Sequence, residues 1–111
     1  MKRLKIGLNG FGRIGMLTAK AILDNQPDLE IVAVNDLSKK SALLKKFHKD
    51  PVYGAFKKSL KAKFFQEKDP SNLPWAKLGM DIVLECSGFF TDYDGAKKHI
   101  VAGAKKVIIS A

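Results

Sequence analysis

Ile6-Gly7-Leu8-Asn9-Gly10-Phe11-Gly12-Arg13-Ile14-Gly15 is the stretch on which the fold of this chain turns. A short apolar run breaks into closely spaced glycines and passes at once into a helical pattern, which reads as strand, tight turn, helix. Gly10, Gly12 and Gly15 fit the spacing G-x-G-x-x-G. In that spacing the first glycine makes the turn, the second lets the backbone approach a pyrophosphate, and the third lets the helix pack closely on the strand. The first turn of the helix offers unpaired N–H groups and a positive dipole end to the phosphates. Glycine triplets also occur in ordinary turns, so the flanking chain has to supply the context.

Outward from the turn, Leu4 to Leu8 is a first buried strand, and Ile14, Leu17, Thr18, Ala21 and Ile22 recur at the spacing of one helical face. Asn25-Gln26-Pro27 stops that helix, and Glu30 to Val34 is a second β-branched strand ending at Asn35-Asp36, completing a βαβ unit. Ser41 is placed to cap a short helix carrying Leu43, Leu44 and Phe47, which ends before Asp50-Pro51. Residues 51–61 show no clear period. Ala62 to Gln66 is expected to be a strand on the strength of Phe64-Phe65, with a turn at Glu67-Lys68-Asp69-Pro70, and Ser71 to Leu78, interrupted by Pro74, is at most a brief helical turn. Asp81 to Cys86 is an apolar run of the kind found in a sheet covered on both faces. Thr91 and Asp94 have the spacing of a capping box, Tyr93, Ala96 and Ile100 form a helical stripe that closes at Gly103, and Val107 to Ile109 is a last strand. The alternation predicts an α/β protein: a Rossmann-like, doubly wound, mostly parallel sheet in three α/β/α layers, with residues 1–111 forming a single minimal domain.

The composition excludes several classes. Hydrophobic residues make up 46% and charged residues 28% of 111 residues, as in a folded globular domain. No apolar run approaches the ~18 residues of a membrane span, and the amino-terminal basic residues lead into a strand too short for a signal-peptide core. A cytoplasmic protein with no membrane partner is therefore expected. Cys86 is the only cysteine, and His48 and His99 stand far apart, so neither a disulfide nor a metal site is expected. The net charge of +9 is concentrated in residues 39–63, where nine lysines meet the single acid Asp50. The favoured reading is a solvated face, and an interaction or nucleic-acid-binding module is the alternative, although no nucleic-acid motif accompanies the lysines.

In a doubly wound sheet the ligand lies across the carboxyl ends of the strands. The residues just past four of the expected strands are Asn9-Gly10, Asn35-Asp36, Ser87-Gly88 and Ser110, all small or polar, and they would meet along one edge. Asp36 stands 21 residues after Gly15, where an acidic residue accepts hydrogen bonds from the adenosine ribose and repels a 2′-phosphate. This favours NAD over NADP, with Lys39 and Lys40 able to soften the repulsion. The plainer reading of Asp36 is a turn residue before Ser38.

Together these residues carry a specific resemblance. Asn9-Gly10-Phe11-Gly12-Arg13-Ile14-Gly15, Asn35-Asp36, Phe65 to Pro70, Cys86-Ser87-Gly88-Phe89-Phe90-Thr91 and Gly103 to Ala111 resemble, in order, the NAD-binding domain of phosphorylating glyceraldehyde-3-phosphate dehydrogenase. The resemblance implies a glycolytic oxidoreductase's cofactor domain, with Arg13 and Ile14 giving backbone contacts to the pyrophosphate and Asp36 holding the adenine ribose. Lys68 stands where the family commonly has an arginine beside the adenine; Ser87, Gly88 and Phe89 would line the adenosine side, and Ser110 would lie near the nicotinamide half. The chain departs from the family at Met16, and between Gly54 and Phe64 it is shorter and lacks an expected β-hairpin. The family's Ser-Cys-Thr-Thr-Asn-Cys segment, its histidine and its phosphate-binding residues are not in this sequence. The expectation is therefore a truncated domain that binds the dinucleotide with the catalytic domain absent and no catalytic or metal-binding residue of its own. Cys86 reads as a structural thiol and His99, among Lys97 and Lys98, as solvent-facing. A surface left by the missing domain could drive self-association, and a minimal or engineered scaffold without ligand is the further alternative.

Overall fold

The computed structural model describes residues 2–50 and 54–110. The reading of residues 51–61 therefore falls partly outside the described residues, as does Ala111. Five strands form one sheet: β1 (Leu4–Asn9), β2 (Leu29–Asn35), β5 (Lys63–Phe65), β6 (Ile82–Glu85) and β7 (Lys106–Ile109). Their order is β5-β2-β1-β6-β7 and every neighbouring pair is parallel. The chain thus winds outward from β1 in one direction, returns, and winds outward in the other. Helices α1 (Arg13–Asn25), α2 (Lys40–His48) and α4 (Tyr93–Val101), with the short α3 (Trp75–Leu78), complete an α/β domain. Two-residue strands β3 (Lys49–Asp50) and β4 (Gly54–Ala55) pair antiparallel as a separate small sheet.

Alternation along the strands splits the core into two layers. Ile6 and Leu8 of β1 pack with Ile31, Val34, and the α1 and α2 residues Met16, Ala19, Ile22, Leu43 and Phe47. On the other face Ala33 and Val83 pack with Leu73, Trp75, Met80 and Ala104. A register shift between Ile6 and Gly7 adds one residue to β2, which lets Ile31 and Val34 share a face although they are three apart.

Three details differ from the sequence reading. The buried face of α1 is Gly15, Met16, Ala19 and Ile22, while Ile14 and Leu17 are exposed. Apolar periodicity gives a glycine no weight, yet Gly15 sets the face, because its missing side chain lets the helix lie against the Gly10 carbonyl. Helix α2 has Lys39 at its N-cap without a side-chain cap, so Ser41 lies inside the helix instead of capping it. Asp92, not Thr91, caps α4, its Oδ1 accepting from the Gly95 amide at 2.8 Å. This phase turns Gly95 and His99 inward and leaves Tyr93 and Ile100 exposed, so His99 is fully buried and not solvent-facing.

Candidate functional site

The carboxyl ends of the strands meet as expected, and main-chain hydrogen bonds carry the sheet past them. The Gly10 amide donates to the Asn35 carbonyl (2.7 Å), Cys86 to Asn9 (2.8 Å), Asp36 to Phe65 (3.0 Å) and Ser110 to Glu85 (3.0 Å). Above this edge lies a cleft of about 720 Å³. It opens where the sequence order of the strands reverses between β1 and β6, the position at which doubly wound sheets bind ligands.

Each motif glycine answers a different demand. Gly10 has φ +97°, and a Cβ there would come within 2.6 Å of the Ser87 backbone, so the turn can pass β6 only as glycine. A Cβ on Gly15 would collide with the Gly10 carbonyl oxygen. A Cβ on Gly12 would meet no protein atom within 4 Å. Gly12 is exposed, lines the cleft and is the N-cap of α1, and no side chain caps the first N–H groups of the helix. The protein's own packing does not require glycine here, whereas an anion seated on the helix end would. Asp36 closes the other side: its Oδ2 accepts from the Phe11 amide (2.7 Å) and its Oδ1 from the Ser38 amide (2.9 Å). Asp36 thus makes the turn before Ser38 that its plainer reading expects, and these contacts fix its carboxylate at the end of β2 beside the glycine turn.

Of the expected site residues, Asn9, Gly10, Gly12, Asn35, Asp36, Lys68, Ser87 and Phe89 line the cleft. Gly15 is buried, Arg13 and Ile14 form the exposed first turn of α1, and Gly88 (φ +79°) makes the bend after β6. The Phe11 side chain is fully buried, stacked on Phe47 at 5.4 Å between ring centroids, so only its backbone faces the turn. Ser110 follows β7, outside the cleft lining, with its hydroxyl 3.3 Å from the Glu85 carbonyl. Leu37, Glu67, Asp69, Phe90 and Lys98 also line the cleft and were not anticipated. Lys98 lies 5.4 Å from the Phe90 ring centroid, an i+8 relation across a helix start that no local pattern marks.

Beneath the cleft is a buried polar cluster that the sequence reading missed. Glu85, 1% exposed, receives Asn9 Nδ2 (2.6 Å) and His99 Nε2 (2.7 Å) on Oε1, and both the amide and the hydroxyl of Ser87 on Oε2. Asn9 Oδ1 accepts from Asn35 Nδ2 (2.8 Å), and Asn35 in turn grips the main chain of Glu67 through its Oδ1 (2.8 Å) and Nδ2 (2.9 Å). Trp75 Nε1 donates to His99 Nδ1 at 2.9 Å. Burial by itself would raise the Glu85 carboxyl, but the hydrogen bonds from His99, Ser87 and Asn9 outweigh it and hold the group below the usual carboxylate range. Burial pushes the Cys86 thiol up, a hydrogen bond with Ser110 pulls the other way, and the Glu85 charge adds to the rise, so Cys86 is not an activated nucleophile. No group of histidine, cysteine, aspartate and glutamate among the described residues could hold a metal ion.

A parallel sheet with its switch point between β1 and β6, a helix N-terminus over open space at Gly12 and a carboxylate at the end of β2 define a dinucleotide-binding domain of the doubly wound class. Residues 4–93 match the family described as glyceraldehyde 3-phosphate dehydrogenase, NAD binding domain, and the chain belongs to that family. Its cofactor is NAD. The chain is 46% identical to glyceraldehyde-3-phosphate dehydrogenase of Mycoplasma pneumoniae, in a match covering 99% of this chain and 36% of that protein. It is 45% identical to the Clostridium pasteurianum enzyme over 96% of this chain and 35% of that one. Glyceraldehyde-3-phosphate dehydrogenase 1 of Trichormus variabilis is 42% identical over the whole chain, again 36% of its length. The chain thus spans about a third of the length of the curated relatives it matches.

Proposed function

We propose that residues 1–111 are a cofactor-binding unit that holds NAD for a glyceraldehyde-3-phosphate dehydrogenase in the cytoplasm. The observation that carries the reading is the open space over Gly12 at the start of α1, flanked by the Asp36 carboxylate. The α1 N-terminus, with the Gly12, Arg13 and Ile14 backbone, would receive the pyrophosphate. Asp36 would accept from the adenine ribose hydroxyls and repel a 2′-phosphate; Lys68, Ser87, Gly88 and Phe89 would flank the adenosine, and Ser110 the nicotinamide side. Bound NAD supplies a hydride acceptor. The residues of this chain bind and orient it, and none of them is assigned a catalytic role.

Calorimetric titration of the chain with NAD, NADP and AMP tests this reading. NAD is expected to bind more tightly than NADP, and Asp36→Ala to weaken NAD while narrowing the difference. Equal affinity for the two dinucleotides, unchanged by Asp36→Ala, would overturn the assignment of Asp36. A polyanion site on the lysine-rich face would instead show binding that collapses as salt rises.

A further inference from the structure

The dinucleotide reading gives work to the glycines and to Asp36 but none to Glu85, a carboxylate buried at the end of β6. Its surroundings fix its state. An indole N–H can only donate, so His99 Nδ1 must accept from Trp75 and the ring proton sits on Nε2, aimed at Glu85. His99 is therefore the neutral tautomer, and the pair leaves one buried negative charge satisfied by four donors.

A group that accepts only donors dictates the orientation of everything it touches. Asn9 must turn Nδ2 toward Glu85, which leaves Oδ1 for Asn35; Asn35 must then present Nδ2 to Asn9 and Oδ1 to the Glu67 amide. The single hydroxyl proton of Ser87 is consumed by Glu85, and the Phe89 amide donates to the same oxygen at 3.2 Å. Ser87, which lines the cleft, therefore has only lone-pair capacity left for a ligand.

We propose that Glu85 is a positioning residue of the dinucleotide site: its carboxylate sets the donor–acceptor direction of a hydrogen-bond ladder across the cleft floor and makes Ser87 Oγ an acceptor for a ligand hydroxyl or amino group. His99 and Trp75 anchor that carboxylate from below the cleft. The proposal rests on the dinucleotide reading. It predicts that the cleft and Trp75, the only tryptophan in the chain, are coupled through Ser87, Glu85 and His99.

Two variants and the unsubstituted protein test it. Glu85→Gln puts an NH2 in place of one oxygen where four donors converge, so at least one protein N–H is left facing an N–H whichever way the amide turns. Ser87→Ala, at a half-buried position, removes the cleft end of the ladder. Each is expected to weaken NAD about tenfold, the scale of one charge-assisted hydrogen bond, and the double variant is expected to be no weaker than the weaker single one. Ser87→Ala and NAD are each expected to shift the Trp75 indole N–H resonance, with His99 carrying its proton on Nε2 in nitrogen-detected spectra. Additive losses, unchanged NAD affinity in Ser87→Ala, or an indole resonance that neither Ser87→Ala nor NAD moves would overturn the proposal. If Glu85→Gln does not fold, the Ser87→Ala measurements decide alone. Failure of the unsubstituted chain to bind NAD would overturn the dinucleotide reading itself, and an indole resonance shifted by Ser87→Ala even then would show the ladder as structural only.

Discussion

Replacing Gly12 with alanine separates what the protein needs from what a ligand needs. Gly12 has φ −83° and ψ −153°, an extended conformation open to other residues, and an added Cβ would meet no protein atom within 4 Å. At an N-cap, alanine is worse than glycine by up to about 1 kcal/mol, and the stiffer unfolded chain returns about 0.4–1 kcal/mol. The net change in stability is expected to stay within about 1 kcal/mol, which moves the melting midpoint by no more than roughly 8 °C in a domain of this size. Binding should respond quite differently. A methyl group over the α1 N-terminus keeps a pyrophosphate from the N–H groups, and an affinity loss of at least tenfold corresponds to about 1.4 kcal/mol. Gly12→Val, which fills more of the same space, should abolish detectable binding. Calorimetry with NAD beside thermal melts of each variant measures both quantities. NAD affinity unchanged in Gly12→Ala and Gly12→Val would refute the reasoning, as would a variant that loses binding only because it no longer folds.

Other substitutions and conditions follow from the same geometry. Gly15→Ala should show the reverse pattern to Gly12: the Cβ is driven into the Gly10 carbonyl, overpacking costs about 1–3 kcal/mol, and thermal melts should register a clear loss; a melting midpoint equal to that of the unsubstituted chain would contradict the packing described. Glu85 is held below the usual carboxylate range, so the stability it contributes is complete above the unfolded value of about 4.3 and is lost as pH falls through the lower folded value. Urea midpoints should therefore drop below about pH 4.3, and Asp69 and Asp81, lowered mainly by hydrogen bonds from Ser71 and Lys5, act in the same direction; midpoints that rise on acidification would count against this. Cys86, its thiol pushed up by burial, should react with iodoacetamide at neutral pH more slowly than free cysteine, a comparison made by mass spectrometry over time.

The βαβ start and the four strand ends were legible because each rests on local chemistry: a β-branched run, a glycine that must turn, a polar residue where a strand stops. Asp36 and the glycines could be placed on one edge from spacing alone, since the parallel topology brings successive strand ends together. The helix faces were less legible. In α1 the contact that decides the face is made by Gly15, which carries no hydrophobic signal, and in α4 the inward residues Gly95 and His99 stand one residue, about 100°, out of phase with the apolar Ala96 and Ile100. Lys98 of α4 and Phe90 of the loop before it both line the cleft, eight residues apart in sequence.

Glu85 was hidden for a different reason. Within Asp81 to Cys86 it reads as one polar position in a strand buried on both faces, and an unpaired carboxylate there would cost several kcal/mol. The partners that make it tolerable come from β1, the bend after β6, and α4, with sequence separations of 76, 2 and 14 residues. Only the folded domain reveals that four donors converge on it. Such a group is hard to justify as a source of stability, because an apolar residue of similar size would avoid the desolvation altogether. Its position directly beneath Ser87 and Asn9, both of which line the cleft, gives it a different justification: the buried charge is placed where it orients the atoms a ligand would meet.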